Sequence, residues 1–331
     1  MQYCYYEIYG LVIRSNRKID QFVEILQSTI IDSYVIFESS IPRISFLDYL
    51  NEQPIYQSRG LAKNQLPYYT VFKQEDNIES YLVIRYNDGA NFVYFVCNRD
   101  GSIISVFYDQ DVLFQDVLTY FSGPIIGCVL RLKNKVCLHA STVNINGKAI
   151  AFIGQKTAGK STLIAKFAEL SYPILSDDIA VFNNVDDIPT IHRGYPCLRL
   201  WKKSIDNIKG IEIENLTPVL SIIDKYYLPL SLNSGVPWSF NAISLPLGGI
   251  YFLNDRNQFN LVKISSMSPL ESFIKLKQNI YAEYMLSPNL MRKESEMFGR
   301  LGNQDMVMLL DRPDDIASLE LVVNKIVKNH N

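Results

Sequence analysis

The segment Gly154-Gln155-Lys156-Thr157-Ala158-Gly159-Lys160-Ser161-Thr162 restricts this chain more than any other stretch. Its first eight residues fit G-x-x-x-x-G-K-[ST]; the apolar β run Ala149–Ile153 enters it, and the helix-forming run Lys160–Leu170 leaves it. Glycines let successive backbone N–H groups turn inward around a phosphate, and the following helix adds the positive end of its dipole. In such a loop Lys160 reaches the β- and γ-phosphates of a nucleotide, and the Ser161 hydroxyl serves Mg²⁺. The nucleotide-binding set predicted here is therefore residues 154–162, with ATP and Mg²⁺ as cofactors.

A short apolar strand, Ile174–Ser176, follows the helix and ends on Asp177-Asp178. Asp178 lies eighteen positions after Lys160, one helix-and-strand circuit, which returns the pair toward the loop. Carboxylates placed there can hold Mg²⁺ or take a proton from an acceptor hydroxyl. On residue chemistry alone they can also be a solvated turn. His139 sits in the apolar strand Val136–Val143, joined to Ala149–Ile153 through an Asn146-Gly147 turn. It reads either as a hydrogen-bonded core histidine or as the neighbour that orients a catalytic aspartate.

The residues before this core have another texture. Tyr3–Val12, Tyr34–Phe37, Tyr68–Phe72, Tyr81–Tyr86, Asn91–Asn98 and Ile103–Tyr108 read as strands, with Asp-Gly turns at 88–89 and 100–101. Helices are predicted over Ile19–Gln27 and Gln110–Leu118, and a loop over Asn51–Pro67. Beyond the aspartates the pattern predicts strands at Gly248–Leu253 and Met306–Leu310, and helices at Pro269–Tyr284 and Pro313–Val327. The 331 residues thus divide into a strand-rich domain, 1–124, and an α/β nucleotide-binding domain, 125–331.

Charge and cysteine use narrow the function. A net charge of −2 offers no basic excess to grip a nucleic-acid backbone. No run of eighteen apolar residues is present, and the first residues lack a secretory pattern, so a membrane partner is not expected and the cytoplasm is. Five cysteines without a C-x-x-C, and only three histidines, argue against a zinc or dithiol site. Cys97, Cys128 and Cys137 read as small core residues. Self-association stays open.

Taken in order, Leu138-His139-Ala140-Ser141-Thr142-Val143, Gly154–Ser161 and Leu175-Ser176-Asp177-Asp178-Ile179 resemble the catalytic core of HPr kinase/phosphorylase. That resemblance implies an α/β fold of the HPr kinase and phosphoenolpyruvate-carboxykinase type. Gly194-Tyr195-Pro196-Cys197-Leu198-Arg199-Leu200-Trp201, Tyr120–Gly127 and the strand-rich front half look like the HPr-kinase-related proteins of peptide natural-product clusters, above all lasso-peptide kinases.

The resemblance implies an ATP-dependent serine kinase for the C-terminal residue of a precursor peptide. It gives Asp178 the role of proton acceptor, His139 that of its polar neighbour, and Asp177 with Ser161 the metal. After the aspartates, the segment His192–Arg199 stands where HPr kinases carry a glutamate-bearing signature. Arg193, Arg199 and Lys225 are candidate cations for the transferring phosphate, or else packing charges. Trp201 and Trp238 read as core or groove aromatics. Two alternatives accompany this reading: a serine kinase/phosphorylase for an HPr-type carrier, and an ATP-binding scaffold that transfers nothing.

Overall fold

In the computed structural model, residues 3–39, 53–75, 80–185, 187–208, 210–233, 235–256 and 261–331 are described; Asn51 and Glu52 of the expected loop lie outside them. The fold is mixed α/β. The chain packs as two units, residues 1–133 with 282–285, and residues 134–281 with 286–331.

The first unit is an eight-stranded sheet of β1 (Cys4–Ile8), β2 (Leu11–Ser15), β3 (Ser33–Glu38), β4 (Tyr56–Gln57), β5 (Tyr69–Glu75), β6 (Ser80–Asn87), β7 (Phe92–Asn98) and β8 (Ile103–Tyr108). Their order is β1-β2-β3-β8-β7-β6-β5-β4. Helices α1 (Phe114–Tyr120) and α2 (Ile126–Leu132) are joined by a π-helical turn at Phe121–Ile125. Phe37 of the sheet meets Phe114 and Phe121 edge-on at 5.3 and 5.7 Å.

Three expectations fail here, one of them the loop at Asn51–Pro67, where Tyr56 and Gln57 pair with Val71 and Thr70 as β4. Tyr3–Val12 is a hairpin rather than one strand, because Tyr9 and Gly10 take φ of 55° and 70°, which turns β1 back into β2. Ile19–Gln27 is not a helix. Its backbone lies along the open edge of β1, where Ile25 N–H donates to Tyr5 O at 2.8 Å and Glu24 bridges to Tyr6. Covering a sheet edge outweighs the segment's modest helical preference.

The second unit is built on β9 (Val136–Ile145), β10 (Lys148–Ile153), β11 (Ile174–Ser176), β12 (Ile179–Val185), β13 (Ile188–Ile191), β14 (Cys197–Trp201), β15 (Thr217–Pro218), β16 (Lys225–Pro229), β17 (Leu245–Leu253), β18 (Lys263–Ser266) and β19 (Val307–Asp311). Strand β10 lies between β9, antiparallel, and β17, parallel. β19 and then β18 extend the sheet beyond β17, while β12 and β13 continue from β9 back to the start of β17. β14, β16 and β15 form a separate small sheet.

Both faces of β10 are covered, which explains its nearly continuous apolar run. Ile150 and Phe152 pack with Leu163, Ile164 and Phe167 of α3 (Lys160–Glu169). On the same side lie Leu198 and Leu200 of β14, and Val322 and Ile326 of α7 (Leu319–Asn329). Ala149, Ala151 and Ile153 face α5 (Pro269–Lys277) and α6 (Pro288–Asn303). The sheet is thus the middle layer, and the loop after β10 leaves the carboxyl end of that interior strand.

Helix α5 stops at Lys277 rather than at Tyr284 because the chain there is recruited by β9. Ile280 bridges to Leu138, and Tyr281 N–H donates to Cys137 O at 2.9 Å. α7 begins only at Leu319, after a 3₁₀ turn at Ile316–Ser318 that Asp315 caps. The sixteen residues of α6 have no counterpart in the sequence reading. Their buried Leu290, Met297, Phe298 and Leu301 follow helical spacing, after a Ser287 cap and Pro288.

At the start of α5, Ser268 and Glu271 form a reciprocal capping box. Ser268→Ala is expected to lower stability by about 1 kcal/mol, read from the midpoint of chemical denaturation.

Candidate active site

The loop from Gly154 to Lys160 is held from three sides within the second unit. Gly154 N–H donates to Asn279 Oδ1 at 3.0 Å, and Asn279 O accepts from His139 N–H at 2.7 Å, so one residue ties the loop to the His139 strand. Arg312, nearly fully buried, donates to Asn254 O at 3.0 Å and to the Ala158 carbonyl. Gly159 has φ +88°, and a Cβ there would sit 2.8 Å from Arg256 Nη2. The left-handed backbone is what demands glycine, since the Arg256 guanidinium is the end of a flexible, half-exposed side chain.

Lys160 opens α3 and folds back over this loop. Its Nζ donates to Gly154 O at 2.8 Å and Gln155 O at 3.3 Å. Burial away from water pushes its pKa down to about 8, against the attraction of Asp178 and Asp177. Gln155, Lys156 and Thr157 form the exposed crest of the loop. Thr162 bonds to Ser204 of α4 (Lys202–Ile205) at 3.0 Å.

The two aspartates at the end of β11 stand in different surroundings. Asp177 is buried: its Oδ1 accepts from Ser141 Oγ at 2.7 Å and Ser161 Oγ at 3.1 Å, and its Oδ2 from Arg199 N–H at 3.0 Å. Asp178 has φ 88°, a strained value for a residue with a side chain, and turns toward the cavity. Its Oδ1 lies 3.3 Å from His139 Nδ1. Its Oδ2 lies 3.3 Å from both Arg199 Nη1 and Tyr281 Oη.

These partners set the charges. Burial works to raise the Asp178 pKa, but neighbouring His139, the Arg199 and Lys225 charges and the Tyr281 hydrogen bond outweigh it, and the carboxyl is held below its ordinary value. Burial, opposed by Asp178, holds His139 below its ordinary pKa. A neutral ring donating through Nδ1 to an ionised Asp178 is the consistent assignment.

A cavity of about 670 Å³ joins these groups; His139, Ser141, Lys160, Ser161, Asp177 and Asp178 all line it. The hairpin β9–β10 and the return strand β11 therefore bring every catalytic candidate of the sequence reading to one place. The cation candidates separate. Lys225 lines the cavity, Arg199 is buried behind Asp178 and bonded to the Tyr195 hydroxyl, and Arg193 is absent from the lining. Trp201 is a half-exposed wall of the cavity and Trp238 packs at the core.

Tyr281, Asn279, Arg256 and Arg312 went unread in the sequence. Tyr281 offers a direct test of how Asp178 is tuned. Removing its hydroxyl withdraws one of the interactions that lower the Asp178 pKa. An aspartate that must be ionised to act then loses activity at a higher pH. Tyr281→Phe is expected to move the acidic limb of the pH–rate profile upward, with the plateau rate less affected.

No protein-family model matches the chain, and no curated protein matches it. Among solved structures it is similar to the Hpr(Ser) kinase/phosphatase from Coxiella burnetii, at 13% identity over 59% of this chain and 89% of that one, with a TM-score of 0.31. A likeness of that size carries no argument, and the functional reading rests on the site itself. No helix among the described residues is long and apolar enough to cross a membrane.

Proposed function

We propose that this protein is an ATP- and Mg²⁺-dependent kinase of the HPr-kinase-like type, which transfers the γ-phosphoryl group to a serine or threonine hydroxyl of a peptide. The observation that carries the reading is the division of labour at Asp177-Asp178. One carboxylate is bonded to the serine that follows the loop lysine; the other, beside His139, turns into the same cavity. A protein that only binds nucleotide needs the loop alone.

The residues present fit both cofactors. The backbone turn at Gly154–Lys160 and the retracted Lys160 ammonium suit a polyphosphate. Ser161 and Asp177 are hard oxygen ligands on one side of the loop. Among the described residues no group of three or more His, Cys, Asp or Glu forms a metal cage. That suits Mg²⁺, which takes one or two protein oxygens and completes its shell from phosphates and water. Bound there, the metal would neutralise charge developing on the phosphates.

The chain's own groups supply the rest. Lys160 balances the phosphate charge, His139 holds Asp178 in place, and the ionised Asp178 accepts the proton of the acceptor hydroxyl. The preferred acceptor is the C-terminal residue of a lasso-type precursor peptide, working in the cytoplasm. This finer reading is supported by the similarity of Tyr120–Gly127 and Gly194–Trp201 to those kinases.

Incubation with Mg²⁺ and ATP, separately with precursor peptides and with an HPr carrier, tests it. Mass spectrometry is expected to find phosphate on a hydroxyl residue at the peptide's C-terminus. Transfer to HPr alone would replace the peptide reading with the carrier-kinase one; nucleotide binding without transfer to any acceptor would leave a scaffold.

A further inference from the structure

Of the lysines that line the cavity without a hydrogen bond or ion pair, Lys156 and Lys203 are exposed to solvent and Lys225 is half-buried. Lys225 opens β16, in register with Trp201 of β14, and its ammonium lies 5.7 Å from the centre of the Trp201 ring. It lines the same cavity as Lys160, Ser161 and both aspartates. Among the described residues its side chain makes no hydrogen bond or ion pair; it feels the field of Asp177 and Asp178 but is bonded to neither.

The neighbouring cations differ. Lys160 is bonded to loop carbonyls, and Arg199 to Asp178 and Tyr195. Lys202 is paired to Asp206 at 2.8 Å, and Arg256 to Asp314 at 2.8 Å. Lys225 and Lys160 also repel one another. Of the five lysines lining the cavity, Lys160 and Lys225 are the two withdrawn from solvent, and an anion between them would stabilise the pair. Partial burial, which pushes the Lys225 pKa down, marks the same deficit.

We propose that Lys225 is the second cation of the transfer site, holding the non-bridging oxygens of the phosphoryl group as it passes from nucleotide to acceptor. The inference rests on the kinase reading above. In that step the acceptor oxygen bonds to phosphorus as the bond to the nucleotide's bridging oxygen breaks. The acceptor proton goes to Asp178, and Lys225 exchanges none. Lys160 meets charge on the nucleotide side, and Lys225 meets charge on the group in flight, where fixed donors are worth most.

The test compares calorimetric binding of Mg·ADP and of the Mg·β,γ-imido analogue of ATP, in the wild type, Lys225→Met and Lys225→Arg. Methionine keeps the length of the stem and its packing on Trp201, and ADP binding reports that each variant is folded. The expected result for Lys225→Met is ADP affinity within about twofold of wild type, analogue affinity weaker by about tenfold or more, and transfer slower by about 10²–10³-fold. Lys225→Arg should recover part of both losses.

Equal losses with the two nucleotides would overturn the proposal, since Lys225 would then serve the part they share. An unchanged analogue affinity, with only the acceptor KM raised, would overturn it in favour of an acceptor-binding role. A wild-type protein that binds neither nucleotide would remove the kinase reading as well, an outcome distinct from both.

Discussion

Asp178→Asn is expected to slow phosphoryl transfer by about 10²–10⁴-fold while leaving nucleotide binding nearly unchanged. The amide keeps the size of the side chain: its oxygen can still accept from Arg199 and Tyr281, and its NH2 can donate to His139 Nδ1 once that ring takes its other tautomer. What it loses is the ability to accept a proton. Phosphoryl transfer asks little covalent chemistry of a protein, so the missing base should appear in the chemical step and not in affinity. Single-turnover transfer together with equilibrium binding of Mg·ATP separates the two. Asp177→Asn, by contrast, touches the carboxylate bonded to Ser161, and its main effect should be a higher Mg²⁺ requirement. If Asp178→Asn transfers at the wild-type rate, the proton leaves by another route.

The contrast between the aspartates shows where the sequence speaks and where it falls silent. The strand, loop and helix at 149–169 are legible because each depends on local rules: a short apolar run, glycines at the tight turn, a helix-forming stretch. The hairpin that sets His139 beside the loop is legible from Asn146-Gly147. The environment of each carboxylate is not, because it is assembled from far along the chain.

Ser141 and Arg199 N–H fix Asp177, while Tyr281, more than a hundred residues on, reaches Asp178. Tyr281 and Asn279 lie where helical periodicity continues from Pro269, and only pairing with β9 draws them out of the helix. Ile19–Gln27 fails for the same physical reason, since its backbone finds a sheet edge that no local pattern announces. The cations show it too: Arg199 is prominent in the sequence beside Trp201, yet the fold spends it on Asp178 and leaves Lys225 facing the cavity.

Lys160→Ala is expected to abolish measurable transfer and to weaken nucleotide binding severely. Its ammonium already occupies the loop, bonded to the Gly154 and Gln155 carbonyls, and is poised to exchange them for phosphate oxygens. The alanine variant would leave polyphosphate charge uncompensated at the loop, with only backbone N–H groups and the metal to meet it. The low pKa of this lysine adds a signature that a merely structural role lacks. Burial puts it at about 8 in the nucleotide-free protein. The protonated form is the one that binds phosphate, so affinity should be flat below that pH and fall as pH rises through it. The decline should approach tenfold per unit, about 1.4 kcal/mol. Lys160→Arg stays protonated throughout, and whatever affinity it retains should lose this dependence. Titrations of Mg·ADP at pH 7 and pH 9 decide the matter: an equal drop in Lys160→Arg would assign the pH effect to another group, and full activity in Lys160→Ala would remove the phosphate-loop assignment altogether.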